Sequence, residues 1–231
     1  MKKSQLFLLH FAGGNCYSFQ FLTPLLKNFS VIPLELPGRG NRIDEKFKKN
    51  MTEATKDIYN QILPKLDCTD FVIYGHSLGA ILALRVTYML EQINKSPSAI
   101  FVSGNAGPNI KVKKRSSLKD EDLIEELIYL GGAPEVVLKN PDFLNYFLPI
   151  LRADLKIAEN VTHFEASVNS PIFAMMGDTE ENVSQISNWA TFTKNTFKYQ
   201  IFKGGHFFIH KYPSEIANIF KKNLNNLSMV R

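Results

Sequence analysis

An α/β fold, a mostly parallel sheet flanked by helices, is what this sequence predicts, and three observations carry the prediction. Short apolar runs recur along the chain with amphipathic stretches between them. One of those runs, Phe71-Val72-Ile73-Tyr74, leads straight into Gly75-His76-Ser77-Leu78-Gly79 and from there into a helical stretch. The length, 231 residues with 45% hydrophobic content, suits a single domain with a substantial core.

Strands are expected at residues 5–11, 30–34, 71–74, 99–103, 171–176 and 197–202. Helices are expected at 18–27, 52–66, 78–93, 182–194 and 213–225. The start, Met1-Lys2-Lys3 followed by Leu6-Phe7-Leu8-Leu9, faintly imitates a secretory leader. Its apolar stretch is too short, and His10 and Gly13-Gly14 stand where a cleavage site would be. It reads as a buried first strand, and the expected location is cytoplasmic. No apolar run approaches the ~20 residues needed to span a bilayer, so no membrane association is expected. In the stretch after Ser77, Ile81, Leu82, Leu84, Val86, Met89 and Leu90 leave little polar face, the mark of a deeply packed helix.

One segment breaks the alternation. From Ser117 to about Val161 there is helical periodicity and no strand pattern: Leu123, Leu127 and Leu130 share one face, Phe143, Phe147, Leu151 and Leu155 another, with Gly131-Gly132-Ala133-Pro134 between them. A helical insertion of about residues 112–161 is expected to cap the site and line an apolar pocket.

The Gly-x-Ser-x-Gly run is the signature of the nucleophile elbow of an α/β-hydrolase, a tight strand-to-helix turn that lifts Ser77 clear of the sheet. Alone the pattern is weak; preceded by a strand and followed by a helix it points to Ser77 as nucleophile. A serine hydroxyl needs a base, and the base needs an orienting acid. In this fold the chain order is serine, acid, histidine. Of five histidines, His10 and His76 precede or abut the serine, His163 lies in the insertion and His210 in the last helical approach. His206 follows strand 197–202 through Lys203-Gly204-Gly205, at a strand's C-terminal end, where ligand sites of open α/β sheets gather. The acid is expected after strand 171–176, in Gly177-Asp178-Thr179-Glu180-Glu181. Three carboxylates compete there, and the spacing does not separate Asp178 from Glu180. Two backbone N–H groups must converge on the substrate's carbonyl oxygen. Leu78, directly after the nucleophile, is one; Ala12, in the turn His10-Phe11-Ala12-Gly13-Gly14, is the other.

Cys16 and Cys68 make neither a disulfide framework nor a metal-ligand spacing. The net charge of +5 owes much to Lys111, Lys113, Lys114 and Arg115, which read as a solvated loop. No aromatic platform accompanies them, so nucleic-acid binding is not expected. Arg39, Arg42 and Glu45 read as surface salt bridges.

With these residues placed, the chain resembles the type II thioesterases, the free-standing editing enzymes of nonribosomal peptide and polyketide synthases. The resemblance spans about residues 6 to 224. It rests on His10-Phe11-Ala12-Gly13-Gly14 with Ser18-Phe19, Glu35-Leu36-Pro37-Gly38-Arg39-Gly40, and Gly75-His76-Ser77-Leu78-Gly79. The insertion adds Leu130-Gly131-Gly132-Ala133-Pro134 and Leu151-Arg152-Ala153-Asp154, which are more specific to the group, and the end of the chain adds Gly204-Gly205-His206-Phe207. The resemblance implies an α/β-hydrolase with a mobile helical lid that removes acyl groups from the phosphopantetheine arm of carrier proteins. It implies Ser77 as nucleophile, His206 as base and the N–H groups of Ala12 and Leu78 as oxyanion donors. The group's acid reads Gly-x-x-Asp, which falls on Glu180, a departure in residue type; Asp178 is the rival. Arg152 and Asp154 are expected to be structural. A monomer that meets carrier domains transiently, with no cofactor beyond the phosphopantetheine its substrate carries, completes the expectation. The competing expectations are a medium-chain acyl thioesterase, a small-molecule carboxylesterase and an inactive binding module.

Overall fold

Period-two alternation in the strands is what divides the interior into two layers. Leu6 and Leu8 pack with Val72, Tyr74 and Phe101 on one face of the sheet, while Phe7 and Leu9 pack with Ile73 and Ile100 on the other. The computed structural model describes residues 3–67, 70–132, 138–160 and 163–228. Its strands are β1 (Ser4–Leu9), β2 (Phe29–Leu34), β3 (Phe71–His76), β4 (Ala99–Ser103), β5 (Ile172–Gly177) and β6 (Phe197–Phe202). All pair in parallel, in the order β2-β1-β3-β4-β5-β6.

Helices α1 (Met51–Ile62) and α2 (Leu78–Glu91) cover the Phe7 face, and α5 (Pro213–Ser228) covers the Leu6 face through Ile216, Ala217, Ile219 and Phe220. Asn50 caps α1, its side chain accepting the Glu53 N–H at 2.9 Å while the Glu53 carboxylate reaches back to the Lys49 N–H and the Asn50 amide. The apolar helix α2 is buried along most of its length, as its sequence requires. No helix among the described residues is long and apolar enough to cross a membrane.

The insertion holds α3 (Asp120–Leu130) and α4 (Pro141–Glu159). Leu123 and Leu127 of α3 and Leu148 and Leu151 of α4 form a small core of their own, with Phe143 stacked on Phe147 at its edge. The expected break between the two helices includes Ala133 and Pro134, which lie outside the described residues, as do Cys68 and Val161.

Two expected helices are not α-helices. Residues 18–27 form a chain of turns with one short 3-10 stretch, Thr23–Leu25. Pro24 lacks an N–H and stands in the first turn of that 3-10 stretch, where no internal donor is needed. Val183–Phe192 is 3-10 rather than α. Its Ser, Asn and Thr are weak helix formers, and two side chains are tied elsewhere. Asn188 donates to the carbonyls of Ala106 and Pro108, and the Trp189 indole donates to that of Asn105.

Candidate active site

The strand order creates the crevice. From β1 the chain turns to β2 on one side and returns to β3 on the other, so the loops leaving β1 and β3 diverge at their C-terminal ends. The register pairs Leu9 with Gly75, which sets the turn containing Ala12 beside Ser77. Ser77 sits at φ 57°, ψ −114°, a backbone state that costs a side-chain-bearing residue about 1–3 kcal/mol. Its N–H is held by the Ser103 carbonyl at 2.7 Å. The flanking glycines are required sterically. A Cβ on Gly75 would overlap the Gly79 carbonyl, and one on Gly79 would overlap the Leu9 carbonyl, so the elbow lies flat against both α2 and β1.

The loops after β5 and β6 bring the acid and the histidine together. His206 Nδ1 lies 2.8 Å from Glu180 Oε2, and the other Glu180 oxygen accepts the Gly177 N–H at 2.7 Å. The Glu180 side chain is 6% exposed and that of His206 18%, so the pair is sheltered while the ring keeps access to the cavity. An Nδ1–H given to a carboxylate leaves the lone pair on Nε2, the nitrogen able to take a proton from a hydroxyl. Asp178 is exposed, and its carboxylate accepts the Gly204 N–H at 2.8 Å, bracing the turn that carries His206.

Ala12 and Leu78 line the same cavity as Ser77, Glu180 and His206. Leu78 is the first residue of α2, where helix geometry leaves N–H groups without internal partners, and Ser77 supplies no side-chain cap. In the β1 turn, the Gly13 N–H is donated to Asp154 at 2.8 Å and the Gly14 N–H to the Phe11 carbonyl at 2.9 Å. The Ala12 N–H has no hydrogen-bond partner among the described residues. Two unclaimed donors thus flank the serine.

The cavity encloses about 370 Å³. Its apolar lining comes from Leu123 and Leu127 of α3 and Leu151 and Leu155 of α4, with Ile81 and Met176 from the body of the fold. Asn105, in the loop after β4, also lines it, with its side-chain oxygen accepting the Gly107 N–H at 2.8 Å. Nothing in the sequence beyond a Ser-Gly-Asn-Ala-Gly turn marked that residue. The basic cluster is not simply a solvated loop. Lys113 and Arg115 reach the cavity rim and both pair with Glu126 of α3, and Arg115 also reaches Glu181 at 3.0 Å. Its N–H and that of Ser116 are accepted by Glu159 of α4. Carboxylates from three places, α3, α4 and the turn after β5, pull that loop in.

Arg39 is a further correction. It is not on the surface; its side chain is 2% exposed and forks onto the Asp154 carboxylate of α4, with one contact at 2.8 Å. The signal was available in α4, where Leu148, Leu151 and Ile157 define a buried face that includes position 154, so a carboxylate there needs a buried cation. Arg42 keeps its expected kind of role, pairing with Glu45 and Asp57, and Arg152 pairs with Asp120.

The other histidines and Cys16 are occupied elsewhere. His76 is buried under the site, its Nδ1 2.8 Å from the Ser103 hydroxyl, and burial holds its pKa well below the ordinary value, with His206 and His210 adding to the effect. His210 is exposed and packs one face of its ring against Phe21 and Phe207, and exposed His163 lies 3.4 Å from Glu165. Burial, followed by the Glu35 charge, pushes the Cys16 thiol up, away from the reactive thiolate.

The parallel sheet, the elbow at the end of β3 and the acid and histidine on the loops after β5 and β6 define the α/β-hydrolase class. Within it the chain belongs to the thioesterase family, whose domain model matches residues 4–224. It is 30% identical over 229 residues to the gramicidin S biosynthesis protein GrsT of Aneurinibacillus migulanus, covering 96% of this chain and 89% of that one. Among solved structures it is similar to ClbQ from the colibactin NRPS/PKS pathway, with a TM-score of 0.91, 28% identity and all of both chains covered. It is also similar to the type II thioesterase BorB from the borrelidin biosynthetic cluster, with a TM-score of 0.87, 26% identity, and 96% and 93% of the two chains covered.

Proposed function

We propose that this chain is an editing thioesterase. It hydrolyses acyl or aminoacyl thioesters from the phosphopantetheine arm of carrier proteins and so clears stalled groups from a nonribosomal peptide or polyketide synthase. The observation that carries this reading is the convergence of Ser77, the Glu180–His206 pair and the residues of two unclaimed N–H groups on one cavity that Leu123, Leu127, Leu151 and Leu155 also line. A polar reacting end and an apolar wall suit an acyl thioester, and the relatives named above point to a biosynthetic synthase.

In this reading Ser77 Oγ attacks the thioester carbonyl while His206 Nε2 takes its proton. The Ala12 and Leu78 N–H groups bind the tetrahedral oxyanion. Collapse breaks the carbon–sulfur bond, and His206 returns the proton to the departing phosphopantetheine thiol. Water, deprotonated by the same histidine, then attacks the acyl-serine and frees the carboxylic acid. Glu180 holds His206 in the required tautomer and stabilises its protonated form. The scheme calls for no metal or organic cofactor. The insertion of about residues 112–161 acts as a lid within one catalytic domain, working as a cytoplasmic monomer. The net charge of +5 suits an acidic carrier protein as a transient partner.

Comparing an acyl-carrier protein, the matching acyl-coenzyme A and a simple oxygen ester tests the assignment. The carrier-bound thioester should give the highest kcat/KM. Preference for coenzyme A would move the reading to a free acyl thioesterase, and preference for the oxygen ester would sink it. Stoichiometric labelling of Ser77 by a fluorophosphonate separates all three from an inactive binding module. For the acid, Glu180→Gln should lower kcat by about 100-fold or more. Asp178→Asn should have a much smaller effect, and the reverse order would transfer the role.

A further inference from the structure

His10 takes no part in this chemistry, yet it is buried and both its ring nitrogens face the backbone. The Leu36 N–H points at Nε2 at 3.1 Å. A backbone N–H can only donate, so Nε2 must carry the lone pair and Nδ1 the proton. That proton is donated to the Phe11 carbonyl, 2.7 Å away. The surroundings favour the same neutral form. Burial first, then the charge of Arg39, lowers the pKa of His10 to about 4, with Asp154, Glu35 and the Phe11 bond pulling the other way.

The Phe11 carbonyl belongs to the same peptide plane as the Ala12 N–H. In a trans peptide the two point to opposite sides, and no cis bond occurs among the described residues. The Phe11 oxygen is gripped by two donors, His10 Nδ1–H and the Gly14 N–H. Fixing that oxygen fixes the direction of the Ala12 N–H, opposite to the Phe11 oxygen and its two donors, and Ala12 itself lines the cavity with Ser77. The next peptide is fixed too, because Asp154 holds the Gly13 N–H at 2.8 Å.

We propose that His10 is a positioning residue for the oxyanion hole: its Nδ1–H tautomer holds the Phe11–Ala12 peptide so that the Ala12 N–H meets the developing oxyanion. The proposal rests on the reading of Ser77 and Ala12 above. An N–H turned by a few tens of degrees weakens the transition state far more than the bound ester, so the effect falls on kcat.

Two substitutions divide the ring's two bonds. In His10→Asn the amide nitrogen stands near the Nδ1 position, keeping a donor for Phe11 and giving up the acceptor for Leu36. In His10→Gln the amide oxygen reaches the Nε2 position, keeping Leu36 and giving up the donor to Phe11. Each removes one hydrogen bond, so a purely structural role predicts similar losses. With an acyl thioester and the full chain, His10→Gln should lower kcat about 10- to 100-fold with KM within about twofold. It should weaken a boronic acid that forms a tetrahedral adduct on Ser77 by the same factor. His10→Asn should stay within about threefold of the parent in both. Equal losses in the two variants, or a loss confined to KM, would overturn the proposal. Ser77→Ala is the control: if the parent is no faster than that variant, the underlying catalytic reading fails instead. Should either variant not fold, the ¹⁵N NMR shifts of His10 in the unaltered protein decide. They should report the neutral Nδ1–H tautomer at pH 6, and an Nε2–H tautomer or a charged ring would refute the role.

Discussion

Asp154→Ala should be among the most destabilising single changes in this chain. The Asp154 carboxylate is fully engaged: its two oxygens receive the fork of Arg39, and Oδ2 also accepts the Gly13 N–H at 2.8 Å. Both side chains are all but sealed, at 1% and 2% exposure. Truncation leaves a buried guanidinium facing only the carbonyls of Gly14 and Pro37, at 3.2 and 3.4 Å, and orphans the Gly13 N–H. An uncompensated buried charge costs about 3–5 kcal/mol. For a domain of 150–250 residues each kcal/mol moves Tm by about 2–4 °C, so the midpoint should fall by roughly 6–20 °C. Arg39→Met should cost a similar amount. The double variant Arg39→Met/Asp154→Leu removes both charges and should lose about 2 kcal/mol or more less than the sum of the single changes. Urea unfolding followed by circular dichroism, at 0.1 and 0.5 M NaCl, measures all three; a sealed pair should respond little to salt. A loss under 1 kcal/mol for Asp154→Ala, or strict additivity in the double variant, would refute the reasoning.

Three further outcomes follow from the same geometry. Ser77→Gly should be more stable than Ser77→Ala by about 1 kcal/mol in thermal melts, because only glycine relaxes at φ 57°; equal Tm values would mean that the elbow stores no strain. Gly79→Ala should lose both stability and turnover, since the new methyl meets the Leu9 carbonyl and must push α2 away from β1; a fully active, equally stable variant would contradict the contact. Stability should also fall as pH drops from about 6.5 towards 4. In that window an unfolded histidine binds a proton that buried His10, with its pKa at about 4, does not. Its contribution is complete above pH 6.5 and, at 1.36 kcal/mol per unit, about 3 kcal/mol of it is lost by pH 4, with His76 and His210 acting in the same direction. His10→Asn should flatten that slope in urea titrations at successive pH values, and an unchanged slope would argue against a neutral His10.

How much of this was legible before folding depends on how far apart the cooperating residues lie. Strands β4, an apolar run ending at Gly104, and β6, a segment rich in aromatic residues ending at Lys203-Gly204-Gly205, were readable to the residue because such local composition reports on its own neighbours. Helix α2 was readable from its start because the elbow and its glycines lie within a nine-residue stretch. The segments at 18–27 and 183–192 misled because helical-looking spacing there gives turns and 3-10 stretches, in the second case with side-chain anchors to a distant loop. At the site, local patterns were enough to nominate Ser77, His206, Ala12 and Leu78, and they narrowed the acid to a five-residue turn. They could not divide Asp178 from Glu180, since that depends on which carboxylate the turn after β5 aims at the turn after β6.

Sequence alone, then, determined the α/β class, the elbow and the residue types gathered around it, because periodicity and turn chemistry act over a few residues. The tertiary structure decided which carboxylate meets His206, that Arg39 is buried on a partner 115 residues away, and which of three successive N–H groups is left without a partner among the described residues. The physical reason is that buried charges and backbone donors must be satisfied by whatever the packing of the sheet and the α3–α4 pair brings within about 3 Å, and that distance is set by the whole fold.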